Sequence, residues 1–363
     1  MRTRVVVGLV ALALTLVVAA GAVLAWQAMS RTDYERAVTS MPASTLRATY
    51  TDWAEVRSLT GGSTLSAESS TGAVDRFLDR AYERDLISTS AVYGSTSAMA
   101  GEYGFSPLDA SWEMYGQSRE GAVVVLRLPS SADFAGIEEN LRTLGYDAPA
   151  DGAGSGQVWA GSADLVAQID SSLTPVFQNV VVLEDEQAVL LSDSTDYASV
   201  AADVVRGSAD SLVSPDSSGA ADLAEVAGEP VSAVLWASDF ACEALSMASA
   251  DEEDQTVAEG LVADAGEINP LTGLVMAHQA DRSLVVGMQF ESSEQAEANL
   301  RPRAELASGE AVGQGGLFSD RFRIASARTT GPHVVLTLEP IEDGPESTLL
   351  SDLSQGPVLF ATC

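Results

Sequence analysis

Lysine is absent from this 363-residue chain, and all nineteen basic residues are arginine. That absence excludes P-loop phosphate binding, Schiff-base chemistry, cofactor attachment through lysine and Ser-Lys hydrolase dyads, each of which needs an ammonium group. Histidine is scarce too, occurring only as His278 and His333. The two fall on separate hairpins, no Gly-x-Ser-x-Gly elbow accompanies them, and no carboxylate set for zinc stands out, so neither a catalytic triad nor a metal site is expected. On strand alternation His333 is expected to face solvent, and His278 to end a strand beside a turn. Positive charge is scarce overall, the formal net charge being −33. Such a body repels phosphate backbones and anionic headgroups, which excludes nucleic acid as a partner and electrostatic docking on lipid. No catalytic, cofactor-binding or metal-binding residue is assigned, and no cofactor is expected.

What is present begins with an unbroken apolar run from Val5 to Trp26 behind Arg2 and Arg4. As a helix it would extend about 33 Å, enough to cross a hydrocarbon core of roughly 30 Å. The positive flank places the N-terminus in the cytoplasm and everything after Trp26 outside. A retained signal anchor over residues 1–26 is the favoured reading. Cleavage at Ala20-Gly21-Ala22 or Val23-Leu24-Ala25, which would give a secreted protein, is the alternative. Residues 27–45 read as a polar stalk.

The body carries an internal repeat. Ser106-Pro107-Leu108 opens a stretch ending in Asn140-Leu141-Arg142, and Asn269-Pro270-Leu271 opens a second ending in Asn299-Leu300-Arg301. Both pass through two apolar segments parted by a polar turn, then through Ser-Ser into a helix. A first repeat domain is therefore assigned to residues 46–230, with a linker at Gly207 to Pro230, and a second to 231–363. Each half reads strand, helix, hairpin, helix, hairpin, helix. The expected hairpins are Ser111 to Tyr115 with Ala122 to Leu128, Phe177 to Leu183 with Ala188 to Ser192, Gly273 to Gln279 with Ser283 to Phe290, and Phe322 to Arg328 with Val334 to Leu338. A final strand is expected at Pro357 to Ala361. Consecutive hairpins with helices between them define an α+β class, with mostly antiparallel sheet and helices on one face. One sheet or two remain open alternatives at this point.

Cys242 follows the strand Val231 to Ala237, and Cys363 follows the strand expected to echo it. If those strands are neighbours, the two cysteines form an intramolecular disulfide outside the cell. Two free thiols or an intermolecular bond are the rival readings. Asp52-Trp53 and Asp239-Phe240 stand at matched corners and read as N-cap carboxylates beside core aromatics. Asp251-Glu252-Glu253-Asp254 lacks the spacing of a calcium loop and reads as a helix start. Gly152-Ala153-Gly154-Ser155-Gly156 reads as linker.

In layout, a lysine-free acidic ectodomain behind one N-terminal span, the chain resembles the uncharacterised membrane-anchored exported proteins of actinobacteria. The resemblance implies a cell-envelope setting and carries no site residue with it. The function expected is a non-enzymatic module, held in the membrane by its first helix, that binds an envelope protein or wall component. The alternatives are a carrier of an apolar ligand in a groove between the halves, lined by Leu, Val and Phe, and a hydrolase built on buried, clustered carboxylates.

Overall fold

A computed structural model describes residues 31–66, 69–149, 156–214, 219–341 and 348–363. The apolar run at Val5 to Trp26 and most of the glycine-rich stretch after Gly152 lie outside the described residues. Among those described, no helix is long and apolar enough to cross a membrane.

The described residues form one eleven-stranded sheet in which every pairing is antiparallel. Its strands are β1 (Arg47–Thr51), β2 (Trp112–Gln117), β3 (Ala122–Arg127), β4 (Val158–Ala160), β5 (Asn179–Leu183), β6 (Ala188–Ser192), β7 (Ser232–Ala237), β8 (Gly273–His278), β9 (Leu284–Gln289), β10 (Phe322–Thr330) and β11 (His333–Pro340). At the centre β1 pairs with β7, Thr49 opposite Val234. Outward from β1 the order is β2, β3, β6, β5, β4, and outward from β7 it is β8, β9, β11, β10. The two arms share this connectivity, with β4 an addition at the outer edge of the first.

Helices cover both faces of the sheet, which corrects the expectation of one covered face. Strands such as Ala122–Arg127 and Ser232–Ala237 are apolar at consecutive positions, and consecutive burial needs partners above and below. On one face α1 (Asp33–Thr39), α6 (Thr195–Val205) and α7 (Ala220–Ala227) press Tyr34, Val38, Ala201 and Leu223 onto Tyr50, Val125, Leu190 and Leu235. The opposite face of the first arm is covered by α2 (Trp53–Thr60), α3 (Thr71–Glu83), α4 (Phe134–Leu144) and α5 (Ala163–Ile169). That of the second arm is covered by α8 (Phe240–Leu245), α9 (Glu252–Ala265), α10 (Ser293–Leu306) and α11 (Leu349–Ser354).

Several local expectations change for identifiable reasons. The stretch read as a stalk contains α1, opened by a capping box in which Thr32 Oγ1 accepts from Glu35 N and Glu35 Oε2 accepts from Thr32 N. Its Tyr34, Ala37 and Val38 are buried at helical spacing. The stretch read as a linker contains α7, whose Leu223, Ala224 and Ala227 face the core. Asp133, two residues beyond the Ser130-Ser131 pair that leads into the helix, caps α4 by accepting from Gly136 N at 2.9 Å. Val200 on α6 is 43 % exposed, while Tyr197 and Ala201 beside it are buried. The strand expected at Pro357 to Ala361 is a 3-10 turn, Leu359–Ala361.

The repeated Asn has a structural use in both arms. Asn140 Nδ2 on α4 donates to Tyr103 O at 3.2 Å, and Asn299 Nδ2 on α10 donates to Asn269 Oδ1 at 2.7 Å. Each ties the helix to the segment that leads into its hairpin. The outer edge at β10 is exposed along most of its length and carries a bulge between Ile324 and Ser326 together with Arg323 and Arg328, features that discourage edge-to-edge pairing.

Candidate functional site

Cys242 and Cys363 are bonded, with their Cα atoms 5.6 Å apart across a sequence separation of 121. They do not sit on neighbouring strands. Cys242 lies in α8, just after β7, and Cys363 follows the 3-10 turn, so the bridge ties a helix to the C-terminal tail. The tail is gripped a second time by Arg303 of α10. This arginine is 0 % exposed and donates to Phe360 O at 3.0 Å, to Thr362 O and to Asn269 O at 2.7 Å, while its guanidinium lies 5.8 Å from the Phe290 ring centroid. Burial pulls its pKa down to about 10. Nothing in the sequence flagged Arg303 except its position four residues after Asn299, on the same helix face.

Asp52 is the N-cap expected of it, accepting from Glu55 N at 2.8 Å, and Trp53 is fully buried. Asp239 is not its equivalent, because it caps α8 in helical conformation without a side-chain bond. Asp251 caps α9 by accepting from Asp254 N at 3.0 Å, which accounts for the acidic run as a helix start. No group of residues able to hold a metal ion occurs among the described residues.

His333 does not face solvent. It is 4 % exposed, with Nδ1 3.1 Å from Thr330 O and Nε2 buried without a partner. Alternation misled here because it presumed that one face of β11 was bare. His278 is buried at the end of β8, its Nδ1 3.3 Å from the carbonyl of Asp85 just beyond α3. Asp85 adopts φ 56°, and its Oδ2 accepts from Ser351 N of α11 at 3.0 Å, so the two arms meet at this corner. Burial holds the His278 pKa below 6.5, although Asp85 opposes that effect. The unfolded chain therefore binds a proton below pH ~6.5 that the folded protein resists. Relative to a His278→Gln variant, the parent protein should have a constant stability offset above that pH and lose stability progressively below it, as read by urea denaturation across pH 5–8. A parallel course for the two proteins would contradict this.

Sequence reasoning passed over Glu113. It lies on β2, is 1 % exposed, and accepts from Trp53 Nε1 at 2.9 Å, Ser90 Oγ at 2.7 Å and Ala91 N at 2.7 Å. Burial raises its pKa, and these three donors counteract the rise. Burial also lifts Asp52 to about 6. Glu113 organises α2 and the segment after α3 around β2, and its signal in the sequence was a lone acid inside the apolar strand Trp112–Gln117. A Glu113→Gln variant turns one acceptor oxygen into an NH2 group facing donors. It should lose about 1–3 kcal/mol of unfolding free energy, measurable by urea titration; an unchanged midpoint would show that the carboxylate is dispensable.

Among the described residues, a cavity of about 650 Å³ lies over the first arm, between α1 and the C-terminal end of α6. Trp112 and Val125 contribute apolar lining from the sheet, Leu128 from just beyond β3, and Val204 and Val205 from α6. Arg36, Arg127 and Arg206 supply its positive groups, Asp33 and Glu186 its negative ones. Arg36 is paired with Asp33 at 2.7 Å and Arg206 with Asp203 at 3.6 Å. Arg127 instead donates to neutral oxygens, Glu186 O and, at 3.1 Å, Gln187 Oε1. Burial and then the Arg36 charge lower its pKa, with Asp33 and Glu186 acting in the opposite sense. Sequence reasoning missed this site because its residues come from five separated stretches, each unremarkable alone.

No family model and no curated protein matches the chain. A solved structure, that of crystal form I of TP0453, is similar with a TM-score of 0.38 and 9 % sequence identity, covering 90 % of this chain and 98 % of that one.

Proposed function

We propose that the chain is a membrane-anchored, extracytoplasmic binding module of the cell envelope, without chemistry of its own. The observation that carries this reading is the cavity of about 650 Å³ on a disulfide-linked body, a size typical of small-ligand sites. The disulfide supports an oxidising compartment, in keeping with an apolar run at Val5 to Trp26 that delivers the body outside. The shared connectivity of the two arms supports reading the body as one duplicated unit, and an envelope protein is the partner to seek.

An apolar-ligand carrier with its groove between the halves has less support, since β1 and β7 hydrogen-bond to each other at that seam. A hydrolase also has less, since Glu113 is sealed among its three donors and Asp52 is committed to capping α2. Protease treatment of intact cells, followed by fractionation and crosslinking, tests the proposal. The body should be digested without lysis while remaining with the membrane fraction beforehand, and should crosslink to an envelope component. A body protected until lysis would overturn the placement, and turnover of an ester or glycoside by the purified chain would overturn the non-enzymatic reading.

A further inference from the structure

We infer that the cavity between α1 and α6 binds a single-chain anionic amphiphile, with its acidic head on Arg127 and Arg36 and its apolar chain along Trp112, Val204 and Val205. The inference rests on the reading of the body as a binding module and names the ligand class of its cavity.

Three independent observations lead there. The first is charge. In a chain with 52 acidic and 19 basic residues, three arginines line one cavity. Arg127 is only partly exposed and its hydrogen bonds go to neutral oxygens; Asp33 and Glu186 line the same cavity, but Asp33 is paired with Arg36 and neither carboxylate is bonded to Arg127. A guanidinium fork of that kind is preorganised for a carboxylate or phosphate head. The second is the lining. Trp112 is 5 % exposed and, with the neighbouring aliphatic groups, gives the cavity an apolar wall that an inorganic anion would leave unused.

The third is position along the chain. Asp33 and Arg36 line the cavity, and Asp33 comes seven residues after Trp26, where the apolar run ends. Even fully extended, that connection spans at most about 25 Å. If the run crosses the membrane, the cavity lies close to the surface from which an amphiphile would come. The overall charge of −33 does not forbid the encounter, because at physiological ionic strength fields between exposed charges are screened beyond about 8 Å and the contact is decided locally.

The test uses the full chain in neutral maltoside micelles, titrated separately with octanoate, octyl phosphate, octanol and inorganic phosphate. Tryptophan fluorescence is the readout, and Trp112→Phe serves as the control that assigns the signal. Saturable binding of octanoate or octyl phosphate is expected, at least tenfold tighter than octanol and than inorganic phosphate, and weakening as salt is raised. Which of the two binds tighter separates a carboxylate from a phosphate head. Arg127→Met should weaken binding at least tenfold. Should that variant fail to fold by circular dichroism, Arg36→Gln, at an exposed side chain, should still weaken it at least threefold. Octanol binding as tightly as octanoate would overturn the inference, as would inorganic phosphate binding as tightly as octyl phosphate. Absence of saturable binding by all four, with crosslinking to an envelope component intact, would overturn this inference and leave the binding-module reading standing.

Discussion

Replacing Arg303 with alanine is expected to lower the unfolding free energy by about 3–5 kcal/mol, one of the two largest effects anticipated for this protein. The side chain is fully buried and donates to the backbone carbonyls of Phe360, Thr362 and Asn269, so its loss orphans three acceptors, those of Phe360 and Thr362 in buried surroundings. A cavity is added beside Phe290, 5.8 Å from the guanidinium. Arg303→Lys keeps the charge but replaces a planar fork with a compact head that cannot reach all three carbonyls, and should recover only part of the loss. Urea denaturation with an unchanged slope is the measurement. A loss below about 1 kcal/mol for the alanine variant would show that the tail is held by other contacts.

The second large effect is expected on removal of the disulfide by Cys242→Ser together with Cys363→Ser. A bridge closing a sequence separation of 121 residues stabilises by about 4–5 kcal/mol in the chain-entropy view, so the double variant should lose most of that. The two effects are not independent, because the disulfide and Arg303 fix the same few residues, Phe360 to Cys363, against α8 and α10. Once the tail is released by one change, the other has less left to hold. The triple variant should therefore fall short of the summed losses by at least about 1 kcal/mol. Strict additivity would mean that the tail stays docked without its covalent tie.

Much of the secondary structure was legible because its signals are local. The four hairpins stand where apolar runs flank short polar turns, and Phe134, Ile137 and Leu141 form the buried stripe of α4 as their spacing requires. The cysteine pair was legible as a pair, though the strand adjacency used to join it was not, since the tail closes with a 3-10 turn. The candidate site was scarcely legible at all. Arg36, Arg127 and Arg206 are scattered over the first arm, and only the packing of α1 and α6 on the sheet makes them neighbours of one cavity.

The sequence by itself determined the positions of the hairpins, the α+β class, the shortage of catalytic groups and the apolar run at Val5 to Trp26, because composition, turn chemistry and hydrophobic period act over a few residues. Only the tertiary structure decided that β1 and β7 join both arms into one sheet, that both faces are covered, that His333 and Glu113 are buried, and that arginines converge beside Trp112. Each of those outcomes depends on which apolar surface finds which partner across long stretches of chain, and burial of that kind is fixed by the sum of many weak contacts rather than by any one local pattern.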